Sequence, residues 1–432
     1  MKNKIIAFDF LRALAIAMII PAHLSNFLSS TYSKLALYAV DPYVANMGLG
    51  LFIFMSGYLL YFNNHSIHSF QNILSFYRKR LLRIFPLYWA AIAAFTLVFF
   101  IFAPKLNSGF VYPNAEHVFT FHNVIVHILG LQIFLAPAYA SPMLTLYFIG
   151  LIIVFYAVYP LIIMLSKDSK QLLLYSSLVF LGFLLISRSF NIIEHRFFMF
   201  FPVFIFGILT CKESLFEKSM TFILRIPFVK IFLAALPIIF VLIIVLGSRV
   251  TLLLDPKVSL TITSAGSGTI GSSTVVSMLE SVANSLGLGY VTLKFIIDSV
   301  LLNVFIITFC ILEYGFAMKF IDKLSNSWNS ALTYIATASY CIYLFHRPFL
   351  ALWNSATNFI SNPFLHDAIV IFVALPLLLL ISYHFQILEL NLKKSFSHKK
   401  APHRDFSLTD STTDTGKLAS SRSKVPGRRS KL

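Results

Sequence analysis

The sequence predicts an all-α polytopic membrane protein, a bundle of about ten transmembrane helices plus one re-entrant or interfacial apolar segment. Hydrophobic residues make up 58% of the 432 residues and charged residues only 12%, and the mean hydropathy is +0.81. Soluble domains are much less apolar than this. The apolar residues also fall in runs of roughly 20, the length at which a helix crosses the hydrocarbon of a bilayer.

Ten apolar runs are each predicted to cross the membrane as a helix. They lie at about 6–28, 43–62, 82–103, 143–166, 171–188, 197–211, 229–247, 294–318, 331–353 and 366–388. The first run is interpreted as a retained anchor and not as a signal peptide. It is long, it carries Asp9 and Arg12 near its start, and no clear small-residue cleavage site follows it.

An eleventh apolar stretch, at about 120–139, contains two histidines and Pro137. If this stretch crossed the membrane, the later basic loops would face the side opposite to the earlier ones. If it dips in and returns, or lies at the interface, all the basic loops and the basic C-terminal tail fall on one side. Because cytoplasmic loops are enriched in Lys and Arg, the sequence favours ten crossings with both termini cytoplasmic.

Two segments differ in composition from the rest of the membrane domain, 1–392. Residues 248–293 are rich in Gly, Ser and Thr and would be extracytoplasmic, either as a flexible linker or as a lid or acceptor-binding loop. Residues 393–432 are basic and polar and are predicted to form a disordered cytoplasmic tail that can touch anionic lipid. The net charge of +17 therefore indicates the bilayer as partner, and no nucleic acid is expected.

The first span carries ionisable residues that hydrocarbon disfavours by roughly 2.5–3.5 kcal/mol each. Arg12 and His23 are eleven residues apart, about three helical turns, so they share one face of the helix. Asp9 lies three residues before Arg12 and falls near the same stripe. This stripe must face protein or water. His23 is suited to act as a general base, although a buried histidine bonded to a neighbouring helix would give the same pattern.

The third span begins with a basic cluster in which Arg80 and Arg83 are three residues apart and point the same way. The planar guanidinium fork suits phosphate oxygens, so the pair fits a ligand with a pyrophosphate or ribose phosphate. Basic residues at helix ends are often only topological anchors. Arg83 argues against that interpretation, because it lies inside the apolar run before Pro86.

The ninth span contains His346 in its outer half, at the depth predicted for His23. Two histidines at one depth could bind a metal, but no third His or acidic ligand stands at a matching spacing, so no metal is expected. Asp298 or Asn303 of the eighth span could add a further polar group.

Five motifs lie in order along these spans. They are Phe8-Asp9-Phe10-Leu11-Arg12 with His23 eleven residues on, Gly50-Leu51-Phe52-Ile53-Phe54-Met55-Ser56-Gly57-Tyr58, Arg80-x-x-Arg83-Ile84-x-Pro86-x-Tyr88-Trp89, Phe155-Tyr156-x-x-Tyr159-Pro160, and Ser339-Tyr340-x-Ile342-Tyr343-Leu344-x-His346. Together they resemble the integral-membrane acyltransferase-3 family, which contains bacterial O-antigen and exopolysaccharide O-acetyltransferases. The resemblance covers about 1–390. It departs from the family at 152–154, where many members carry a Glu and this chain has Ile, Ile and Val.

The resemblance implies transfer of an acyl group, most often acetyl, from cytoplasmic acyl-CoA to a hydroxyl of a cell-envelope glycan or glycolipid. It also implies acetyl-CoA as the donor. The protein is expected to be a multi-pass protein of the bacterial inner (plasma) membrane. The expected catalytic residues are His23, Arg12, Asp9 and His346, and the expected donor-binding residues are Arg80, Arg83 and Tyr88.

Two other functions share some of these features. A transporter or flippase for an anionic metabolite or lipid-linked sugar would also need intramembrane charges and a basic inner mouth, but no internal repeat is evident. A non-catalytic scaffold or sensor that recruits partners through the basic tail would tolerate loss of Arg12 and His23. The acceptor and the acyl-chain length do not follow from the sequence.

Overall fold

The computed structural model describes residues 2–30, 41–102 except 66 and 68, 115–215, 281–282, 285, 290–320 and 324–398. Every regular element within these ranges is helical, as predicted. The chain divides into two compact units, residues 1–388 and residues 389–432. The arrangement described below is that of the first unit. In the described part of the second unit, Lys393 forms an ion pair with Glu389.

The described helices are α1 Lys2–Leu24, α2 Asp41–Asn64, α3 Phe70–Phe95 with a π-helical extension Thr96–Phe102, α4 Ala115–Val118, α5 Phe121–Ile128, α6 Gln132–Leu135, α7 Tyr147–Leu165 preceded by a 3₁₀ turn Leu144–Leu146, α8 Ser169–Phe190, α9 Arg196–Lys212, α10 Tyr290–Phe320, α11 Asn326–Ala356, α12 Pro363–Ile369 with a π-helical extension Val370–Ala374, and α13 Leu375–His398.

Seven helices among the described residues are long and apolar enough to cross a membrane. They lie at Ile6–Leu24, Val44–Asn64, Phe70–Phe102, Leu144–Leu165, Ser169–Phe190, Ser299–Met318 and Pro363–Lys393. The predicted spans 197–211 and 331–353 are helical but are not among the seven, because α9 has only 17 residues and α11 carries many polar side chains. The predicted span 229–247, most of the loop 248–293 and the tail beyond 398 lie outside the described residues.

The stretch 120–139 does not form one transmembrane helix. Its longest helix, α5, has eight residues and rises only about 12 Å, and Gly130 then turns the chain with a φ of 73°. The buried His127 holds this turn in place: Met143 N–H donates to its Nε2 at 2.9 Å, and its Nδ1–H donates to the Asn123 carbonyl at 2.7 Å. Burial lowers the pKa of His127 to about 4, so the imidazole is neutral at neutral pH.

Helices α1 and α11 run parallel and in register. Thr333 bonds to Asp9, and Arg347 bonds to His23, and both pairs are separated by 324 residues. The constant separation means that the two helices keep one alignment from Asp9 to His23, roughly 21 Å along the axis. This alignment places the polar residues of the two helices beside each other.

Helices α2 and α9 cross at two glycines. A Cβ on Gly57 would lie 2.2 Å from the carbonyl oxygen of Phe204, and one on Gly207 would lie 2.2 Å from that of Phe54. Backbones approach this closely in membrane bundles only where small residues line the crossing. The second span is thereby fixed against α9.

The helix ends sort into two sides. Tyr58 and Tyr314, near the ends of α2 and α10, are in contact. Near the end of α7, Tyr159 donates to the Asn64 carbonyl. At the end of α9, Lys212 donates to the Lys167 carbonyl. Helix α1 starts at this level, where Phe8 contacts Tyr58. We call this the basic side. Its basic residues include Arg78, Lys79, Arg80, Lys167, Lys170 and Lys212.

The other side, called here the opposite side, contains the end of α1, the 120–139 stretch, the α8–α9 connection and the α11–α12 connection. The Asp367 carboxylate accepts from the backbone N–H groups of Ser29 (2.6 Å) and Ser30 (3.1 Å). His366 Nδ1 lies 3.0 Å from the Ser29 hydroxyl. These bonds tie the segment after α1 to α12 and so help to hold the end of α1 in position.

Candidate functional site

His23 and His346 meet near the opposite side. Their rings stack with centroids 5.4 Å apart and an angle of 11° between the planes. Arg347, the residue after His346, donates from Nη2 to His23 Nδ1 at 3.0 Å. The parallel register of α1 and α11 produces this contact. The structure thus brings together the two histidines that the sequence placed at similar depth.

His346 is completely buried. Its Nδ1 lies 2.9 Å from the Tyr343 carbonyl oxygen and 3.2 Å from that of Ile342. Its Nε2 is buried and has no hydrogen-bond partner in the part of the chain that the structure describes. An unpaired buried polar atom costs about 1–3 kcal/mol. An atom left in this state beside His23 is a candidate for contact with a substrate.

Asp9 and Arg12 form an ion pair within α1, with Arg12 Nη1 and Asp9 Oδ1 3.1 Å apart. The second carboxylate oxygen of Asp9 accepts from the Thr333 hydroxyl of α11, also at 3.1 Å. Asp9 is buried, whereas Arg12 keeps 30% of its side chain exposed. Asp9 therefore acts as a fixed support that aims the guanidinium of Arg12.

Three arginines gather toward the basic side. The Arg80 guanidinium lies over the rings of Phe76 and Tyr156, at 5.5 and 5.6 Å from their centroids. Arg83 is within electrostatic range of both Arg80 and Arg12. Asp9 neutralises Arg12, and the planar guanidinium groups of Arg80 and Arg83 are of the kind that binds anions.

A polar cavity of about 210 Å³ lies next to this cluster. Its walls come from the end of α2, the α2–α3 connection and the first turns of α3, and they share Phe76 with the Arg80 site. The lining residues are Asn63, Asn64, His65, Ile67, Asn72, Ser75, Phe76 and Lys79. Amide groups, a hydroxyl and an ammonium in one recess can hydrogen-bond a polar ligand such as a nucleotide.

Tyr88 lies apart from the arginines that share its motif. It is completely buried, and its hydroxyl accepts from Gln132 Nε2 at 2.8 Å. Gln132 belongs to α6, on the opposite side, so Tyr88 joins α3 to the 120–139 stretch. Asn303 likewise donates to the Met199 carbonyl and joins α10 to α9, while the side chain of Asp298 lies outside the described residues.

A second polar network, at the opposite side, was not predicted from the sequence. Buried Glu194 pairs with His195 at 2.7 Å and with Arg196 at 3.4 Å, and the Arg196 guanidinium lies 4.0 Å from the centroid of Tyr147. Tyr147 is in turn within electrostatic range of Arg347. Arg347 could have been singled out from the sequence, because it is a cation directly after His346 inside an apolar span. No sequence signal distinguishes Glu194 from an ordinary loop carboxylate.

Among the described residues, no group of three or more His, Cys, Asp or Glu side chains is arranged to hold a metal ion. The arrangement therefore consists of a basic anion site toward one side and a histidine pair toward the other, linked by the Asp9–Arg12–His23 face of α1. Guanidinium groups of this kind can bind an anion, and a pair of imidazoles can take part in acid–base chemistry.

Comparison with known proteins identifies a family. A family profile described as an acyltransferase domain, that of the acyltransferase-3 family, matches residues 5–383. Comparison with curated proteins and with solved structures gave no match.

Proposed function

The chain belongs to the acyltransferase-3 family, and from this we propose that it transfers an acyl group, most often acetyl, from acyl-CoA to a hydroxyl of a cell-envelope glycan or glycolipid. The observation that carries the proposal is the face of α1 that joins the three-arginine cluster to the His23–His346 pair. We place the protein in the bacterial inner membrane with the basic side in the cytoplasm, since basic loops favour that side.

The donor would bind from the basic side. Arg80 and Arg83 offer guanidinium forks to its phosphates, and the polar cavity that contains Lys79 is adjacent to Arg80 through Phe76. The acyl end would then extend along α1 toward His23. Arg12, partly exposed and aimed by Asp9, lies on this path, where it can stabilise negative charge on the thioester oxygen.

The reaction needs one bond exchange. The acceptor oxygen attacks the thioester carbonyl, a C–O bond forms and the C–S bond breaks. The hydroxyl proton passes to a histidine of the pair and then to the departing thiolate of CoA, so the pair returns to its starting protonation state. The acceptor would enter from the opposite side, past the partly exposed His23.

Label transfer from radiolabelled acetyl-CoA tests this function. Membranes that contain the wild-type chain would be compared with His23→Ala and Arg80→Ala chains at equal abundance. Arg188→Ala is the matched control, because Arg188 is an exposed arginine in the last turn of α8.

We expect label in a glycan or lipid fraction with the wild type and the control, and its loss in both site variants. Absence of transfer by the wild type, together with failure of acetyl-CoA to protect the purified protein against heat, would instead favour a transporter of an anionic substrate.

A further inference from the structure

The hydrogen-bond partners of the two stacked histidines determine which nitrogen of each ring carries the proton. An arginine guanidinium has five N–H donors and no acceptor. Arg347 therefore donates in its 3.0 Å contact with His23 Nδ1, and this nitrogen must present a lone pair. In the neutral imidazole the proton then resides on Nε2.

The same reasoning gives the other tautomer for His346. Its Nδ1 contacts only the carbonyl oxygens of Ile342 and Tyr343 in the described structure, and a carbonyl can only accept. Nδ1 must therefore carry the proton, and Nε2 must present a lone pair. This is the buried nitrogen for which the described residues supply no partner.

We propose that the two histidines divide the chemistry, with His346 Nε2 as the general base and His23 Nε2–H as a hydrogen-bond donor to the thioester oxygen, and that Arg347 is the positioning residue that enforces this division. The proposal rests on the acyltransferase function proposed above. It assigns the base to the second histidine of the site, because the first has its only lone pair occupied by Arg347 while that contact lasts.

Arg347 has a second effect on His23. A cation that donates to Nδ1 withdraws electron density from the ring, so Nε2–H becomes a stronger donor. A neutral imidazole can act in this way as an electrophile toward a carbonyl. His23 is the partly exposed member of the pair and His346 the buried one, so a substrate enters past His23 to reach the base. The proton of the acceptor hydroxyl goes to His346 Nε2 and is returned from there to the thiolate of CoA.

Ring-¹⁵N NMR of histidine-labelled protein in nanodiscs reads the tautomers directly, with the two rings assigned from the His23→Gln and His346→Gln spectra. We expect protonated Nε2 on His23 and protonated Nδ1 on His346. In Arg347→Met, His23 should gain protonated Nδ1. Arg347→Lys, which keeps a cationic donor, should retain more of the wild-type tautomer. Arg188→Met is the control for loss of an arginine and should leave both signals unchanged.

Transfer kinetics supply the second readout. We expect His346→Gln to lower kcat about 10²–10⁴-fold, the usual contribution of a general base, and Arg347→Met to lower kcat more than it changes KM. Protonated Nδ1 on His23, protonated Nε2 on His346, or wild-type kcat in His346→Gln would each overturn the proposal. The NMR result does not depend on turnover, so lack of acyl transfer by the wild type would refute the proposed function and leave the tautomers to be judged on the spectra.

Discussion

At the scale of single residues, the Asp9–Arg12–Thr333 contacts show how an ionisable stripe is kept inside a membrane protein. The carboxylate is buried and bonded on both oxygens, once within its own helix and once across to α11. Its charge is therefore compensated, and the arginine it supports remains partly exposed. Asp9 is thus held in place, whereas the guanidinium of Arg12 is accessible to a ligand.

The first prediction concerns this support. Asp9→Asn should lower kcat/KM for acyl transfer about 10–100-fold, because Arg12 loses the charge that aims it and small misplacements of a catalytic group are costly. Thr333→Val should cause a smaller loss, since Asp9 keeps its bond to Arg12. Thr337→Val is the control, because the Thr337 hydroxyl donates to the Thr333 carbonyl of its own helix. Wild-type kcat/KM in Asp9→Asn would contradict the assigned role.

The second prediction concerns His127 and pH. Its pKa is about 4 in the folded protein and about 6.5 when exposed, so between these values the unfolded chain binds more protons. Stability should therefore fall as pH drops from about 6.5 to about 4, by at most about 3 kcal/mol. Thermal melting in detergent across this range should show a flatter profile for His127→Gln. The exposed His122 provides the control His122→Gln, and the same pH slope in His127→Gln and wild type would argue against the prediction.

At the scale of helices, the crossing of α2 and α9 depends on the absence of two methyl groups. Gly57→Ala and Gly207→Ala each bring a Cβ within 2.2 Å of a backbone oxygen, so the helices must separate. We expect each variant to lose about 1–3 kcal/mol, the usual cost of overpacking, and to melt at a lower temperature.

Gly182 of α8 provides the matched comparison, because no atom of the described residues lies within 4 Å of the position its Cβ would take. Gly182→Ala should be neutral or more stable by up to about 1 kcal/mol, since alanine favours the helix. Equal melting temperatures for all three alanine variants would show that the crossing tolerates separation.

Helical periodicity is enough to predict which residues of one helix share a face. The face shared by Arg12 and His23 follows from the geometry of one helix, and so does the paired direction of Arg80 and Arg83. The contact between His23 and Arg347 depends on the register between two helices far apart in the chain, which no local pattern specifies. The environment of Tyr88 could not be predicted from its own helix either, because its hydroxyl bonds to Gln132 in a different segment.

At the scale of the whole molecule, the distribution of basic residues gives a prediction about topology. In a chain with Cys211, Cys310 and Cys341 replaced, single cysteines would be introduced at Lys170, Tyr139 and Phe359. A membrane-impermeant maleimide added to intact cells should label Tyr139→Cys and Phe359→Cys, and should label Lys170→Cys only after the membrane is permeabilised. If Tyr139→Cys, like Lys170→Cys, were labelled only after permeabilisation, the 120–139 stretch would lie on the cytoplasmic side.

The number of crossings stays a prediction at the scale of the whole molecule. Seven helices qualify within the described ranges, the predicted span 229–247 lies outside them, and the two other predicted spans that do not qualify have physical reasons. Helix α9 is short, and α11 is polar because it carries one wall of the site. Apolar run length alone cannot identify a helix whose side chains face other protein groups.

The constant separation of 324 residues between paired positions of α1 and α11 also has a consequence during synthesis. At about 5–20 residues per second, α11 emerges roughly 16–65 s after α1. During that interval Asp9 and Arg12 can already neutralise each other within one helix, but Arg347, which donates to His23 in the folded protein, has not yet been synthesised. The His23–His346 pair is thus assembled only late in translation, and a chain interrupted before α11 has His23 without His346 and Arg347.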